Sequence, residues 1–185
     1  MKIPSLAEKL IDQYYADLDQ ARQSLVRHSE QVATLAVKVA QQIEEEVDID
    51  FVDEAAWLHD IAIFLTDAPE IGCFGKRPYL MHGILGAGLL RHQGLPRHAL
   101  VCERHIGVGL SREDILAQKL PLPLRDMQPQ SIEEQIVAYA DLFFSKHKTG
   151  KRQVEDVRKS LARFSPQKVA IFDNWHARFD PGVTG

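Results

Sequence analysis

The apolar and polar positions of this chain follow a helical period along most of its length. In the segment SLVRHSEQVATLAVKVAQQI, Leu25, Val32, Leu35 and Val39 recur at steps that place them on one face of an α-helix. Comparable stripes run from SLAEKLIDQYYADL near the start of the sequence to SPQKVAIFDNWHARF near its end, with glycine- and proline-rich turns between them. The pattern predicts an all-α fold, a single-domain helical bundle with about seven or more helices.

Six ionisable side chains share faces with these apolar stripes. The doublet His59–Asp60 interrupts the apolar run AAWLHDIAIFL, where its helical stripe continues to Ile63. Burying such groups without partners costs several kcal/mol, so each is expected to have a partner. Other polar residues of the same helices, such as His98 and Glu103, are expected to face water. The six buried candidates are His28, His59, Asp60, His82, His105 and Asp141.

The order and spacing of these six residues favour a shared metal site. Successive positions are roughly one helical hairpin apart, and antiparallel neighbours bring their buried faces together, so the side chains can converge at one depth of the bundle. Imidazole and carboxylate together suit borderline divalent ions, and Cys73 and Cys102 lack the spacing of a structural zinc site. We predict one or two divalent transition metal ions (Fe, Mn, Zn, Co or Ni). Neighbours on a helix diverge by about 100°, so His59 and Asp60 are expected to flank one ion or to bridge two through the carboxylate.

Three glycines follow His82 in the predicted helix LMHGILGAGLLRHQG. Each of Gly83, Gly86 and Gly88 costs roughly 1 kcal/mol against alanine inside a helix. Close backbone packing beside a crowded site is the reason that the sequence suggests for them.

Composition narrows the classes of partner. The net charge of −4 gives no basic signature for binding to a nucleic acid backbone. No apolar run approaches the roughly 20 residues of a membrane span, and the N-terminal segment lacks the apolar core of a signal peptide. We therefore predict one cytoplasmic domain over residues 1–185 with a small soluble ligand, without a nucleic acid or membrane partner, and leave homo-oligomerisation open.

The order H…HD…D resembles that of the HD-domain metal-dependent phosphohydrolases. The resemblance covers approximately residues 24–148, with an N-terminal helix and C-terminal helices packed on this metal-binding core. It implies that His28, His59, Asp60 and Asp141 hold one ion. In two-metal relatives the doublet aspartate bridges to a second ion held by further histidines, which the resemblance assigns to His82 and His105. Many bacterial relatives continue the doublet with Ile-Gly, whereas this chain has Ile61–Ala62.

The resemblance also implies a reaction. A metal-activated water, aligned by Asp60 or Asp141 as catalytic residues, would cleave a phosphoester or phosphoanhydride bond of a small phosphorylated substrate, and a nucleotide or dinucleoside polyphosphate is the expected class. Charge on the phosphoryl oxygens requires further cations. The candidates near the site in sequence are Lys76, Arg77, Arg104, Lys146 and Lys148.

Two other functions remain open for the same residues. A di-iron oxygenase on an HD scaffold would consume oxygen and release little phosphate. A non-enzymatic signalling module would retain the metal for stability only.

Overall fold

Nine α-helices and one short antiparallel ribbon lie in the part of the chain that the structure, a computed structural model, describes, namely residues 2–146 and 150–180. The helices are α1 (Ser5–Tyr15), α2 (Asp19–Gln42), α3 (Ile49–Leu58), α4 (His82–His92), α5 (Pro96–Arg104), α6 (Arg112–Ala117), α7 (Ile132–Asp141), α8 (Val154–Ala162) and α9 (Pro166–Phe179). The ribbon pairs β1 (Asp67–Ala68) with β2 (Cys73–Phe74). The predicted all-α bundle is confirmed. Lys148 lies outside the described residues.

The long helix α2 is the axis of the bundle. Its apolar stripe is buried as predicted, with Leu25, Val32 and Val39 fully inaccessible to solvent. Helices α3 and α7 pack against α2, and α4 packs against α5. One cluster of buried apolar side chains runs from Ala7 in α1 to Phe179 in α9. The assignment of residues 1–185 to a single domain, with a core over 24–148, stays a prediction.

Helix α3 ends before the His59–Asp60 doublet, so the expectation of one helix through this run is wrong. Its last residue is Leu58, and the chain then forms tight turns in which the Ile61 amide donates to the Leu58 carbonyl at 3.1 Å. A short 3-10 helix, Ile63–Leu65, follows. The hydroxyl of Tyr15 donates to the Ile61 carbonyl at 2.9 Å. The doublet is therefore held by turn geometry rather than by the face of a helix.

Helices α4 and α5 approach each other closely at two of the three glycines. A Cβ on Gly83 would lie 2.5 Å from the Cys102 carbonyl oxygen, and one on Gly86 would lie 3.1 Å from the Cys102 sulfur. A Cβ on Gly88 would meet nothing within 4 Å. The predicted close packing therefore applies to Gly83 and Gly86, whereas Gly88 faces solvent.

We expect Gly83→Ala to destabilise the protein and Gly88→Ala to stabilise it. The added methyl at Gly83 must displace the backbone of α5, at a cost of about 1–3 kcal/mol in the free energy of unfolding. At Gly88 the same change gains up to about 1 kcal/mol of helix propensity. Urea unfolding of the two variants measures both effects. Equal stability of the two variants would mean that the α4–α5 contact is not as tight as the structure shows.

Two polar side chains expected at the surface are buried instead. Glu103 is 6% exposed, and its carboxylate pairs with Arg91 at 2.5 Å and with Arg125 at 2.8 Å. His98 is 8% exposed and packs edge-on against the ring of Phe51. Both corrections have one cause, since the partners lie in other segments of the chain.

No helix in the described ranges is both long and apolar enough to span a lipid bilayer.

Candidate metal centre

The six predicted side chains lie in or directly after five helices and meet at one place in the bundle. His28 lies within α2, and its ring is 1% exposed. The other five stand at helix ends: His59 and Asp60 follow α3, His82 begins α4, His105 follows α5, and Asp141 is the last residue of α7. The bundle therefore brings together all six side chains that the sequence singled out, and it groups them in two sets that share Asp60.

The first set consists of His28, His59, Asp60 and Asp141. His28 Nε2 lies 3.2 Å from Asp60 Oδ2 and 2.9 Å from Asp141 Oδ1. His59 Nε2 lies 3.0 Å from the same Asp60 oxygen, 3.6 Å from Asp141 Oδ1 and 3.3 Å from His28 Nε2. The neighbours His59 and Asp60 thus reach one point, because the chain has left the helix before them.

The second set uses the other oxygen of Asp60. Asp60 Oδ1 lies 3.2 Å from His82 Nε2 and 3.6 Å from His105 Nε2. The two imidazole nitrogens are 3.1 Å apart. One carboxylate therefore faces two histidines through Oδ2 and two others through Oδ1, as a bridging ligand would.

These separations suit donor atoms that share an ion. Donors about 2.1 Å from one ion are about 3.0 Å apart at a right angle and about 3.4 Å apart at the tetrahedral angle. The separations given above lie between 2.9 and 3.6 Å in both sets. The cluster can accordingly hold a divalent metal, and its nitrogen and oxygen donors are those that borderline transition metals accept.

Backbone carbonyls fix the orientation of three of the imidazoles. In each case the Nδ1–H donates to the carbonyl three residues earlier, which directs Nε2 into the cluster. The pairs are His59 with Ala56 at 2.6 Å, His82 with Tyr79 at 2.6 Å, and His105 with Cys102 at 2.8 Å. Two facing lone pairs, such as those of His82 and His105, repel each other unless a cation lies between them. These carbonyls were not predicted from the sequence. The common feature that could have indicated them is their position, three residues before each histidine.

The histidines of the cluster differ in their protonation states. Burial lowers the pKa of His82, and it lowers that of His105, together with the charge of His59, to about 3, so both rings are neutral at pH 7. Burial opposes ionisation of Asp60, but the charges of His59 and Lys146 outweigh it and hold its pKa well below the usual range. Burial likewise disfavours a charged His59, but Asp60 and Asp141 raise its pKa to about 10, so its Nε2 carries a proton that a bound ion would displace. The carboxylates are thus ionised and strongly attract positive charge.

Lys146 is the predicted cation that reaches the cluster. Its ammonium lies 2.5 Å from Asp60 Oδ2 and 5.8 Å from the centre of the Tyr79 ring. Arg27 holds the backbone here by donating to the Lys146 carbonyl at 2.7 Å. The segment after α7 therefore places one positive charge beside the candidate metal ligands.

The other predicted cations do not reach the cluster. Arg104 donates to both carboxylate oxygens of the buried Glu134, at 3.0 and 2.9 Å. Lys76 and Arg77 are exposed, and within the described residues neither side chain forms an ion pair. Binding of substrate by these three residues stays a prediction that no contact in the structure supports.

The backbone conformation of Ala62 explains why alanine is tolerated at this position. Its φ of −107° and ψ of 16° lie outside the left-handed region that favours glycine. The side chain is fully buried. Alanine therefore replaces the glycine of many relatives without strain in the turn that holds the doublet.

Comparisons with known proteins find similarity to HD domains. A family model described as HD domain matches residues 25–144. The "Uncharacterized protein MJ0778" of Methanocaldococcus jannaschii is 34% identical over 146 residues, which are 76% of this chain and 77% of that protein.

Two further relatives carry the name tRNA (cytidine(56)-2'-O)-methyltransferase. The one from Thermoplasma volcanium is 34% identical and the one from Picrophilus torridus 36% identical, over 79% and 66% of this chain. The matched regions are only 40% and 32% of those two proteins, so the chain spans less than half of their length.

A solved structure shares the fold. The HD domain of the L. monocytogenes phosphodiesterase PgpH matches with a TM-score of 0.54 and 17% sequence identity, over 90% of this chain and 94% of that one. At this identity the likeness shows that the helices are arranged in the same way.

Proposed function

This chain belongs to the HD domain family, and from that premise we propose that it is a metal-dependent phosphohydrolase acting on a small phosphorylated substrate. The observation that carries the proposal is the pair of ligand sets joined by the two oxygens of Asp60. When bound, a divalent ion polarises a phosphoryl oxygen and lowers the pKa of water from about 15.7 towards about 7.

The chain's own residues would orient the water and the phosphoryl group. Asp141 is 19% exposed, whereas the side chains of the other ligands are at most 7% exposed, so substrate and water approach from the side of Asp141. Its carboxylate would accept a hydrogen bond from the attacking water. The water oxygen would bond to phosphorus while one of its protons passes to the Asp141 carboxylate, the bond from phosphorus to the leaving oxygen would break, and the leaving oxygen would take up that proton. Lys146 would offset negative charge on the phosphoryl oxygens.

An apolar cavity beside the centre supports a nucleotide as the substrate. It has a volume of 260 Å³, and Leu80, Ile106 and Leu142 line it together with the exposed Phe164. Ile106 and Leu142 directly follow the candidate ligands His105 and Asp141 in the chain. An apolar cavity with a few polar groups nearby is the usual form of a small-molecule site. It would receive a base or another ring, while the phosphate lies at Asp60 and Asp141.

Removal of metal provides the first test. We expect the purified protein to contain one or two equivalents of a transition metal and to release phosphate from at least one nucleotide or dinucleoside polyphosphate. Dialysis against a chelator should lower that activity by at least about 100-fold, because the ion supplies several kcal/mol of transition-state stabilisation, and added metal should restore it. Metal analysis and a phosphate-release screen measure both quantities.

Other outcomes of this screen distinguish the alternatives. Iron-dependent oxygen consumption without phosphate release would replace the proposal by a di-iron oxygenase. A lower thermal stability after chelation, with no turnover of any substrate, would indicate a metal-stabilised signalling module. Absence of metal after gentle purification would contradict all three functions.

A further inference from the structure

A positively charged groove lies against α8, and its wall is joined to the residues that follow Asp141. We propose that this α8 groove binds the phosphates of the substrate that are not being cleaved, so that the substrate carries several phosphates rather than one. The inference rests on the proposed function only where it assigns the bound phosphates to a substrate that is hydrolysed. The binding of phosphates by the groove does not depend on it. The groove has a volume of 610 Å³, and its polar lining includes Ser145, Lys151, Arg152, Lys159, Ser160 and Arg163.

The charge of the groove contrasts with that of the whole chain. Four basic side chains and one acidic one, Asp156, line it, in a protein of net charge −4. Lys159 and Arg163 are exposed, and within the described ranges their side chains form no ion pair or hydrogen bond. Two cations of the groove are thus available to an anion at no cost in broken contacts.

Other cavities of the described structure have a different character. The one between α3 and α5 contains Asp48, Asp50 and Glu54, and the one at the end of α2 contains Glu44 and Glu45. Carboxylates of this kind repel a phosphate. A concentration of unpaired basic side chains in a concave surface is therefore specific to the α8 groove among these cavities.

Chain contacts join the groove to the metal centre. Arg152 donates from its amide to the Phe143 carbonyl at 2.8 Å and from its guanidinium to the Leu142 carbonyl at 3.1 Å, so the groove wall is built on the residues that follow Asp141. Ser145 lines the groove, and its neighbour Lys146 contacts Asp60. Ser145 is four residues from Asp141, a span of at most about 14 Å between Cα atoms. One extended anion can therefore reach both places.

The chemistry of the lining favours a polyphosphate. Guanidinium groups bind phosphate oxygens through paired hydrogen bonds, and lysine ammonium groups act as point charges towards them. Several cations spread along a groove match several linked phosphates, whereas a single phosphate held at the metal centre would leave them unused. The shared lining residue Ser160 also connects the groove with the 260 Å³ apolar cavity, so a nucleoside and its polyphosphate chain could occupy the two together.

Direct binding tests the inference without turnover. Isothermal titration of the chelator-dialysed full chain with inorganic tripolyphosphate should show binding at least 10-fold tighter than with inorganic monophosphate. The double variant Lys159→Ala/Arg163→Ala should weaken tripolyphosphate binding at least 10-fold. The matched control Lys9→Ala/Arg112→Ala removes two exposed basic residues that do not line the groove, and should bind as the wild type does.

Several results would overturn the inference. These are equal affinity for the two phosphates, equal binding by the groove variant and the wild type, or a single-stranded RNA oligonucleotide that binds the same residues more tightly than tripolyphosphate. If tripolyphosphate binds in the groove while no substrate is hydrolysed, the proposed function is contradicted but the binding of phosphates by the α8 groove is supported. With an active substrate, the groove variant should raise KM at least 10-fold for a polyphosphorylated compound and less than twofold for its monophosphate.

Discussion

Asp60→Asn is expected to remove metal from both ligand sets at once and to lower phosphohydrolase activity by about 10³-fold or more. The reason is the position of the carboxylate: Oδ2 lies within 3.2 Å of the imidazoles of His28 and His59, and Oδ1 lies 3.2 Å from that of His82. Asparagine keeps the size of the side chain but replaces one oxygen by an NH₂ group that cannot bind a cation, and it removes the negative charge that the remaining oxygen would share. Among the residues that the structure describes, Asp60 alone belongs to both sets.

Metal content and fold are measured on the same sample. The variant should contain less than a tenth of the metal of the wild type by elemental analysis, while its helical circular dichroism remains. Asp53→Asn is the matched control, since Asp53 lies on α3 six residues before His59 but outside both sets. It should retain metal and activity. Retention of both properties by the Asp60 variant would show that the metal centre lies elsewhere.

The sequence predicted which side chains meet, because burial and spacing decide that. Each of the six candidates interrupts an apolar stripe, and a bundle brings such stripes together whatever its details. The prediction did not include how His59 and Asp60 reach one point. Tyr15, 46 residues before Ile61, donates to the Ile61 carbonyl, which a continuing helix would have used for its own ladder. A contact of that range leaves no trace in the local hydrophobic pattern.

The same limit explains the errors about buried charges. Glu103 looks like a surface residue because its own helix offers it no partner. It is buried because Arg91 on α4 and Arg125, in the loop between α6 and α7, offset its charge. Arg104 was a phosphate-binding candidate by its closeness to His105 in sequence, yet Glu134 of α7 occupies its guanidinium. Pairing across elements depends on the packed fold, so local periodicity cannot supply it.

The double variant His82→Ala/His105→Ala should remove one ion and retain the other. The two side chains contact Asp60 through Oδ1, whereas His28 and His59 contact it through Oδ2, so the first set keeps all of its donors. We expect the metal content to fall by one equivalent and activity by roughly 10²-fold, which corresponds to about 2.7 kcal/mol of transition-state stabilisation. Elemental analysis and phosphate release measure the two effects.

The matched control for this variant is His92→Ala. His92 ends the same helix that His82 begins but is exposed and belongs to neither set, so its removal should change neither metal content nor rate. Loss of both ions from the double variant would show that the two sets form one inseparable centre. An unchanged metal content would instead reduce the site to His28, His59, Asp60 and Asp141. In that case the 3.1 Å contact between the His82 and His105 nitrogens would be a hydrogen bond in which one ring carries its proton on Nε2 and gives up its Nδ1–H bond to a backbone carbonyl. Both rings would stay neutral at pH 7, because burial lowers the pKa of each.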